Sequence, residues 1–349
     1  VTDRLSDRGG ADWHLLGVLR ALARDGQMHV AVGRDEAPGA VSCPVTVVPG
    51  IETGDAAALA GLDAVISRFS PVILHLHNCM SPTVLDWGAA RGAILTVQDH
   101  RAFCPGRGKL TLDGGVCREP MALTTCAGCF TDSEYFERIH DITQRRLDAV
   151  RRMRSVIVLS GYMRDELIAA GVDAARVSVI PPFVHGLDPA AAPDGPPCVL
   201  FVGRLVAAKG VVDAVEAHRR AGMTLPLVCA GSGSERARLE AAGCEVLGWV
   251  SHARLASVYR RAQAVVMPSR WQEPFGMVGL EALAMGVPVV AWESGGVGEW
   301  HAAPTPWGDV DALAQALRAA PGSTVQVPER FQRAMLMSRL RSLYALVAG

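Results

Sequence analysis

Lysine is almost missing from this chain: of 34 basic residues, only Lys109 and Lys209 are not arginine. In a sequence that otherwise writes positive charge as arginine, these two are suspects for work that a compact ammonium does and a planar guanidinium does not. Chance retention is the plain alternative. A surplus of charge of either sign is also lacking, since the net charge is −1 and the pI about 6.9. That argues against a polyanion such as nucleic acid as the main ligand. No run of 18 apolar residues occurs, which speaks against a membrane-spanning helix, and the first residues lack the charged and apolar regions of a signal peptide. The expectation is a cytoplasmic protein.

What is present is apolar residues, half of a 349-residue chain, enough for two domains with separate cores. Short strand-like runs alternate with amphipathic stretches: Met28–Val32, Ala64–Ile66, Val72–Leu76, Ala93–Val97 and Ser155–Leu159. A second series is Cys198–Val202, Leu225–Cys229, Glu245–Leu247, Ala264–Met267 and Val287–Ala291. Such alternation predicts parallel sheets covered by helices. The prolines around Ile180-Pro181-Pro182 and in Asp188–Pro197 interrupt both patterns and mark a linker. The predicted fold class is therefore α/β, two doubly wound Rossmann-like domains facing a cleft. They are an N-terminal domain over 1–182, a linker over 183–197, a C-terminal domain over 198–328, and a terminal helix over 329–349 that packs back on the first domain.

Ligands of such sheets bind beyond the carboxyl ends of the strands. Strand Cys198–Val202 ends in Gly203-Arg204, followed by Lys209-Gly210 and a helix over Val211–Arg220, so two cations stand where a diphosphate would lie. After Ala264–Met267 comes Ser269-Arg270-Trp271-Gln272-Glu273-Pro274-Phe275-Gly276-Met277-Val278-Gly279-Leu280-Glu281. Pro274 and Gly276 suit a loop turning into a helix whose first N–H groups, at Gly276, Met277 and Val278, form a phosphate site. Glu281, a turn further in, can accept bonds from ribose hydroxyls, and Glu273 would face the sugar. Helix-dipole compensation alone would account for Glu273 but not for the whole set. Gly231 and Gly233, and the loop Ser294-Gly295-Gly296-Val297-Gly298-Glu299, add glycines at two further strand ends.

Together, Phe201-Val202-Gly203-Arg204 with Lys209-Gly210, the pair Glu273/Glu281 eight apart around Pro274-Phe275-Gly276, and Ser294-Gly295-Gly296 resemble the GT-B glycosyltransferases of family 4. Gly9-Gly10-Ala11 with His14 is similar to that family's first glycine loop. The resemblance implies retaining transfer from a nucleotide-sugar donor, UDP- or GDP-linked, with no catalytic metal, to a carbohydrate-type acceptor. Arg204 and Lys209 would hold the phosphates, Glu281 the ribose, Glu273 a sugar hydroxyl, and the backbone near Trp249 and Val250 the base. Gly10, Gly203, Gly231 and Phe275 complete the donor set. Front-face attack through a short-lived oxocarbenium–phosphate ion pair is implied, the cations replacing a metal.

The first half departs from the pattern. The family has a histidine within Thr-x-His-Asp, whereas this chain reads Thr96-Val97-Gln98-Asp99-His100. Gln98, Asp99 and His100 are therefore the first-domain catalytic candidates, with His100 either swinging in or serving the acceptor; a loop histidine is its plain reading. His75, His77 and Asn78 read as packing residues, and His14 as a core or capping residue with an acceptor-side role as the sharper option. Nine cysteines include four in one segment: Cys104, Cys117, and Cys126-Ala127-Gly128-Cys129. That spacing fits a structural zinc site, an iron–sulfur cluster, or reduced thiols. The insertion over about 104–129 would shape the acceptor site, with Arg107 and Lys109 meeting an anionic acceptor. The basic run Arg145–Arg154 is either a solvated face or a dock on an anionic membrane.

Rival readings are a nicotinamide-dependent dehydrogenase, disfavoured because Gly231-Ser232-Gly233 lacks the third glycine, a sugar phosphorylase or epimerase of the same architecture, and a catalytically degenerate scaffold that keeps donor binding.

Overall fold

The computed structural model describes residues 1–24 and 28–349, and the chain divides into two compact units. The first is built from Val1–Asp113, Cys117–Phe183 and the terminal stretch Gln332–Gly349; the second from Gly114–Val116 and Val184–Phe331.

In the first unit, strands β1 (Thr2–Leu5), β2 (Val30–Asp35), β3 (Val45–Val47), β4 (His75–His77), β5 (Ile94–Val97), β6 (Ser155–Val158) and β7 (Val177–Val179) pair in parallel. Their order is β3-β2-β1-β4-β5-β6-β7. Strands β5 and β6 are buried along their whole length, which is why they read as unbroken apolar runs rather than alternating ones. One face packs Leu76, Leu95, Val97, Val156 and Val158 against helix residues such as Leu85, Leu147 and Val150. The opposite side of Ile94 and Ile157 receives Leu336, Met337 and Leu340 of the terminal helix Arg333–Ala348, together with Ile180 and Phe183.

In the second unit, β8 (Cys198–Val202), β9 (Leu227–Ala230), β10 (Glu245–Gly248), β11 (Ala262–Met267) and β12 (Val289–Ala291) form a parallel sheet in the order β10-β9-β8-β11-β12. Its core joins Val199, Phe201, Val266, Val290 and Trp292 to Leu313 and Leu317 of the helix Val310–Ala319.

The doubly wound α/β class expected from the sequence is the one found. One expected strand is not a strand: Ala64–Ile66 lies inside the helix Ala56–Phe69, whose first turn is capped by Asp55 accepting from the Ala58 N–H. A three-residue apolar run has no period of its own, and here the cap settled it. The sequence pattern missed the short strands β3 and β7, each three residues and only partly buried.

Candidate functional site

The order of the second sheet reverses between β8 and β11, so the loops leaving these two neighbours diverge and open a crevice at their carboxyl ends. Arg204 and Lys209 follow β8; Ser269, Trp271 and Glu273 follow β11. After β8 a single 3-10 turn, Ala207–Lys209, ends at Gly210, which has φ 69° and starts the helix Val211–Ala221. A Cβ at this position would sit 1.6 Å from the Pro268 carbonyl oxygen, a backbone atom that cannot swing aside. Only glycine lets the lysine turn lie against the β11 loop. Gly210→Ala should therefore lower stability by more than about 2 kcal/mol, adding a steric clash to the left-handed penalty. The urea midpoint measures it; a midpoint equal to wild type would refute the close approach.

That approach places the Lys209 Nζ 2.6 Å from Glu273 Oε1, and the Ser269 hydroxyl donates to the same oxygen at 2.5 Å. The Trp271 ring centroid lies 4.2 Å from Nζ and 5.4 Å from the Arg204 guanidinium carbon. Backbone bonds bind three strand-end loops together here. The Trp271 N–H donates to the Ala208 carbonyl at 3.0 Å, the Ser294 hydroxyl donates to the Trp271 carbonyl at 2.7 Å, and the Gly296 N–H donates to the Glu273 carbonyl at 2.7 Å. Arg270 adds a two-bond pair with Asp213 on the helix after Lys209.

Burial by itself would push the Glu273 carboxyl up, but Lys209, with Ser269 and Trp271 also bonding to it, outweighs burial and holds it below the usual carboxylate range. Burial lowers the Lys209 pKa, offset in part by Glu273 and reinforced by Arg204. Glu281 is different in kind. It is 6% exposed, accepts from the Tyr259 hydroxyl at 3.0 Å, and lies 4.0 Å from His252 Nε2. Burial pushes its pKa up to about 7, the Tyr259 bond pulling the other way.

Gly276 has φ 89° and opens the helix Met277–Ala284 with no side-chain cap on its N–H groups. Gly231 packs on the Gly203 carbonyl, bringing the β9 loop against the β8 loop. Trp249 is 52% exposed at the end of β10, next to the half-buried Val250. Phe275 departs from expectation. Its ring is 1% exposed and edge-on to Phe331 at 5.5 Å, so it packs the core under the turn instead of lining the crevice.

In the first unit, the helix Gly10–Leu22 starts with no side-chain cap on its N–H groups, and its Asp12 pairs with Arg4. His14 is buried beside His77, the rings 6.0 Å apart. A chain of polar groups crosses the sheet beneath them. The Tyr344 hydroxyl lies 2.6 Å from His75 Nδ1, Thr96 Oγ1 lies 2.8 Å from His75 Nε2 and 3.4 Å from His77 Nε2, and Gln98 Nε2 lies 3.5 Å from His77 Nδ1. Gln98 is 6% exposed and, among the described residues, its Oε1 has no hydrogen-bond partner. Burial lowers the pKa of both His75 and His77, so both rings are neutral.

Three first-unit expectations are corrected. Asp99 spends its carboxylate on the Arg101 backbone N–H and guanidinium, capping a short turn. His100 is 2% exposed, with Nε2 3.0 Å from the Tyr162 hydroxyl and its ring against Phe103, so its ring packs in the core instead of lining a cleft. Lys109 is 4% exposed, bonded to the Glu119 carbonyl at 2.6 Å and paired with Glu166 at 2.9 Å, so it anchors the insertion instead of meeting an acceptor. Arg107 is exposed.

Cys104, Cys117, Cys126 and Cys129 all line one cavity of about 20 Å³, with Phe103 and Lys109. Among the described residues no three His, Cys, Asp or Glu side chains stand in an arrangement that holds a metal. The basic run is largely spent inside the unit. Arg146 donates to the Met80 carbonyl, Arg151 to the Ala170 carbonyl and Asp148, and Arg152 pairs with Asp86. Among the described residues no helix is long and apolar enough to cross a membrane.

Sequence reasoning overlooked Trp271, Ser269 and Ser294 as site residues. The available signal was a tryptophan and two serines inside loops already singled out for their acids and glycines.

Two family models tile the chain. One described as "Glycosyl transferase 4-like domain" matches residues 9–182, and one described as "Glycosyl transferases group 1" matches residues 196–320. The chain belongs to the glycosyltransferases. Within that family, a glycogen synthase of Mycobacterium tuberculosis is 38% identical over 169 residues, which make up 43% of this chain and 40% of the relative. A GDP-mannose-dependent alpha-mannosyltransferase of the same species is 30% identical over 236 residues, 65% of this chain and 57% of the relative. The chain thus spans about half the length of the curated relatives it matches. Among solved structures, Anabaena HepE in complex with UDP and glucose aligns over 100% of this chain and 95% of its own, with a TM-score of 0.63 and 17% identity. Sucrose-phosphate synthase from Thermosynechococcus elongatus aligns over 99% and 92%, at 0.64 and 19%. These likenesses speak for the fold, the GT-B pairing of two Rossmann-like units.

Proposed function

We propose that the chain transfers a sugar from a nucleotide-diphosphate sugar to a hydroxyl of a carbohydrate-type acceptor, with retention of configuration and without a catalytic metal. The observation that carries this reading is the gathering of Arg204, Lys209 and Glu273 at the switch point of the second sheet. Two cations there would take the diphosphate, with the uncapped N–H groups of Gly276, Met277 and Val278 as further donors. Glu281 would accept from the ribose, Glu273 would hold a sugar hydroxyl, and Trp249 with Val250 would flank the base. The anomeric carbon–oxygen bond breaks with its electron pair leaving on the diphosphate. The acceptor oxygen then bonds on the same face and passes its proton to the departing phosphate oxygen. The fixed charges of Arg204 and Lys209 stabilise the leaving group, the task a metal performs elsewhere. Glycosyl transfer is supported by the two family models. UDP and GDP donors are supported by a structural neighbour solved with UDP and by a relative named for GDP-mannose.

In the first unit His14 and Arg107 would meet the acceptor, Gly10 would join the donor set, and Gln98 would take the catalytic place. One observation favours a second reading, a donor-binding scaffold without transfer: Gln98, in the place of the family's histidine, is buried and its amide is turned to His77. A thermal-shift panel of UDP-, GDP-, ADP- and TDP-sugars separates the cases. One donor should raise the midpoint by mass action, and product NMR with that donor should show the anomeric configuration kept. Inversion would refute the mechanism. Binding with neither transfer nor slow donor hydrolysis would establish the scaffold.

A further inference from the structure

We propose that Trp271 is a positioning residue for the donor diphosphate, its indole face holding Lys209 and Arg204 side by side so that both point their charge at one anion. The inference rests on the donor reading above. Two like charges at the mouth of a crevice repel, and each would ordinarily be drawn to a carboxylate or released to solvent. Here the Lys209 ammonium and the exposed Arg204 guanidinium share one aromatic ring, 4.2 and 5.4 Å from its centroid. A π face attracts a cation without neutralising it. The ring therefore gathers the two charges and leaves them available to phosphate oxygens, which a second carboxylate would not.

The backbone that carries the ring is anchored. The Trp271 main-chain N–H donates to the carbonyl of Ala208, one residue before Lys209, and its main-chain carbonyl accepts from the Ser294 hydroxyl of the β12 loop, so this backbone cannot shift without disturbing two other loops. Glu273 takes Lys209 at 2.6 Å, and a side-chain bond from Trp271 helps to keep that carboxylate ionised. Lys209 is thus gripped between ring and carboxylate. Arg204 relies on the ring.

The test is titration calorimetry with UDP, GDP, ADP and dTDP, and with the matching free nucleosides. If wild type binds no nucleoside diphosphate, the donor reading and this inference fall together. If it binds one, Trp271→Leu should weaken that diphosphate about tenfold while leaving the free nucleoside unchanged, and Trp271→Phe, which keeps a π face, should recover most of the loss. Equal diphosphate binding by W271L, or equal weakening of diphosphate and nucleoside, overturns the inference and leaves the donor reading standing. W271F as weak as W271L also overturns it. A second measurement does not depend on the leucine variant folding. Global replacement of tryptophan by its mono-, di- and trifluoro forms, which drain the π face without changing shape, should lower diphosphate affinity stepwise in wild type and not in W271F. A flat response in wild type overturns the inference.

Discussion

Lys209→Ala should reduce kcat/KM for the nucleotide-sugar by two to three orders of magnitude, the range seen when one charge-stabilising donor is removed from a site of this type. The effect has two sources. The departing diphosphate loses a cation, and Glu273 loses the partner that keeps its buried carboxylate ionised. Burial then pushes the acid upward and it takes a proton. Because both sources run through one contact, the variants should not add: Lys209→Ala combined with Glu273→Gln should be little worse than the first alone. Full additivity would show that the two residues act separately. Lys209→Arg tests the scarcity of lysine directly. The ammonium sits in a tight place, with a side chain 19% exposed between a carboxylate and an indole. A planar guanidinium does not fit that gap, so the arginine variant should recover less than a tenth of wild-type kcat/KM.

Glu281 should make both stability and donor affinity change across neutral pH. Its carboxyl has a pKa of about 7 in the folded chain because it is buried, against about 4.3 in an unfolded one. The neutral acid is the form the fold prefers. Its contribution is complete below pH of about 4.3 and is lost as pH rises through about 7, a span of about 4 kcal/mol. Glu281→Gln, neutral at every pH, should remove that part of the slope in urea unfolding between pH 4.5 and 7.5. An identical slope in the variant would mean that Glu281 is already ionised. Donor binding should run the opposite way. Ribose hydroxyls donate to the ionised form, so affinity should rise with pH toward about 7 and binding near neutrality should release a proton. Calorimetry in buffers of different ionisation enthalpy reads that proton, and E281Q should show none.

Much of this site could be read before the fold was known, for a specific reason. In a doubly wound sheet each functional residue follows a strand, and the strands of the second unit are buried runs with clear ends. Cys198–Val202 was delimited to the residue, and the helix after Lys209 nearly so. Arg204, Lys209 and Glu273 then had to meet once β8 and β11 were neighbours, but the strand order itself is tertiary information. What failed was side-chain direction. His100 and Lys109 stand at attractive places in the sequence, yet their chains turn inward to Tyr162 and Glu166, which lie about 60 residues away. The spacing of the four cysteines was legible and their shared cavity follows from it. The ligand arrangement does not, because it depends on rotamers that spacing does not set. Trp271 went unnoticed since a loop aromatic is usually packing, and only the positions of two cations above its face give it a part.

The last sixteen helical residues, Arg333–Ala348, close the underside of the first unit, covering Ile94, Ile157 and Phe183. Order of synthesis follows from this. A ribosome has passed Phe331 before that greasy surface can be sealed, whereas the stretch Val184–Phe331 is complete earlier. The half that begins second is the first able to finish. A protein cut after Phe183 would leave its oldest portion permanently open and prone to clump.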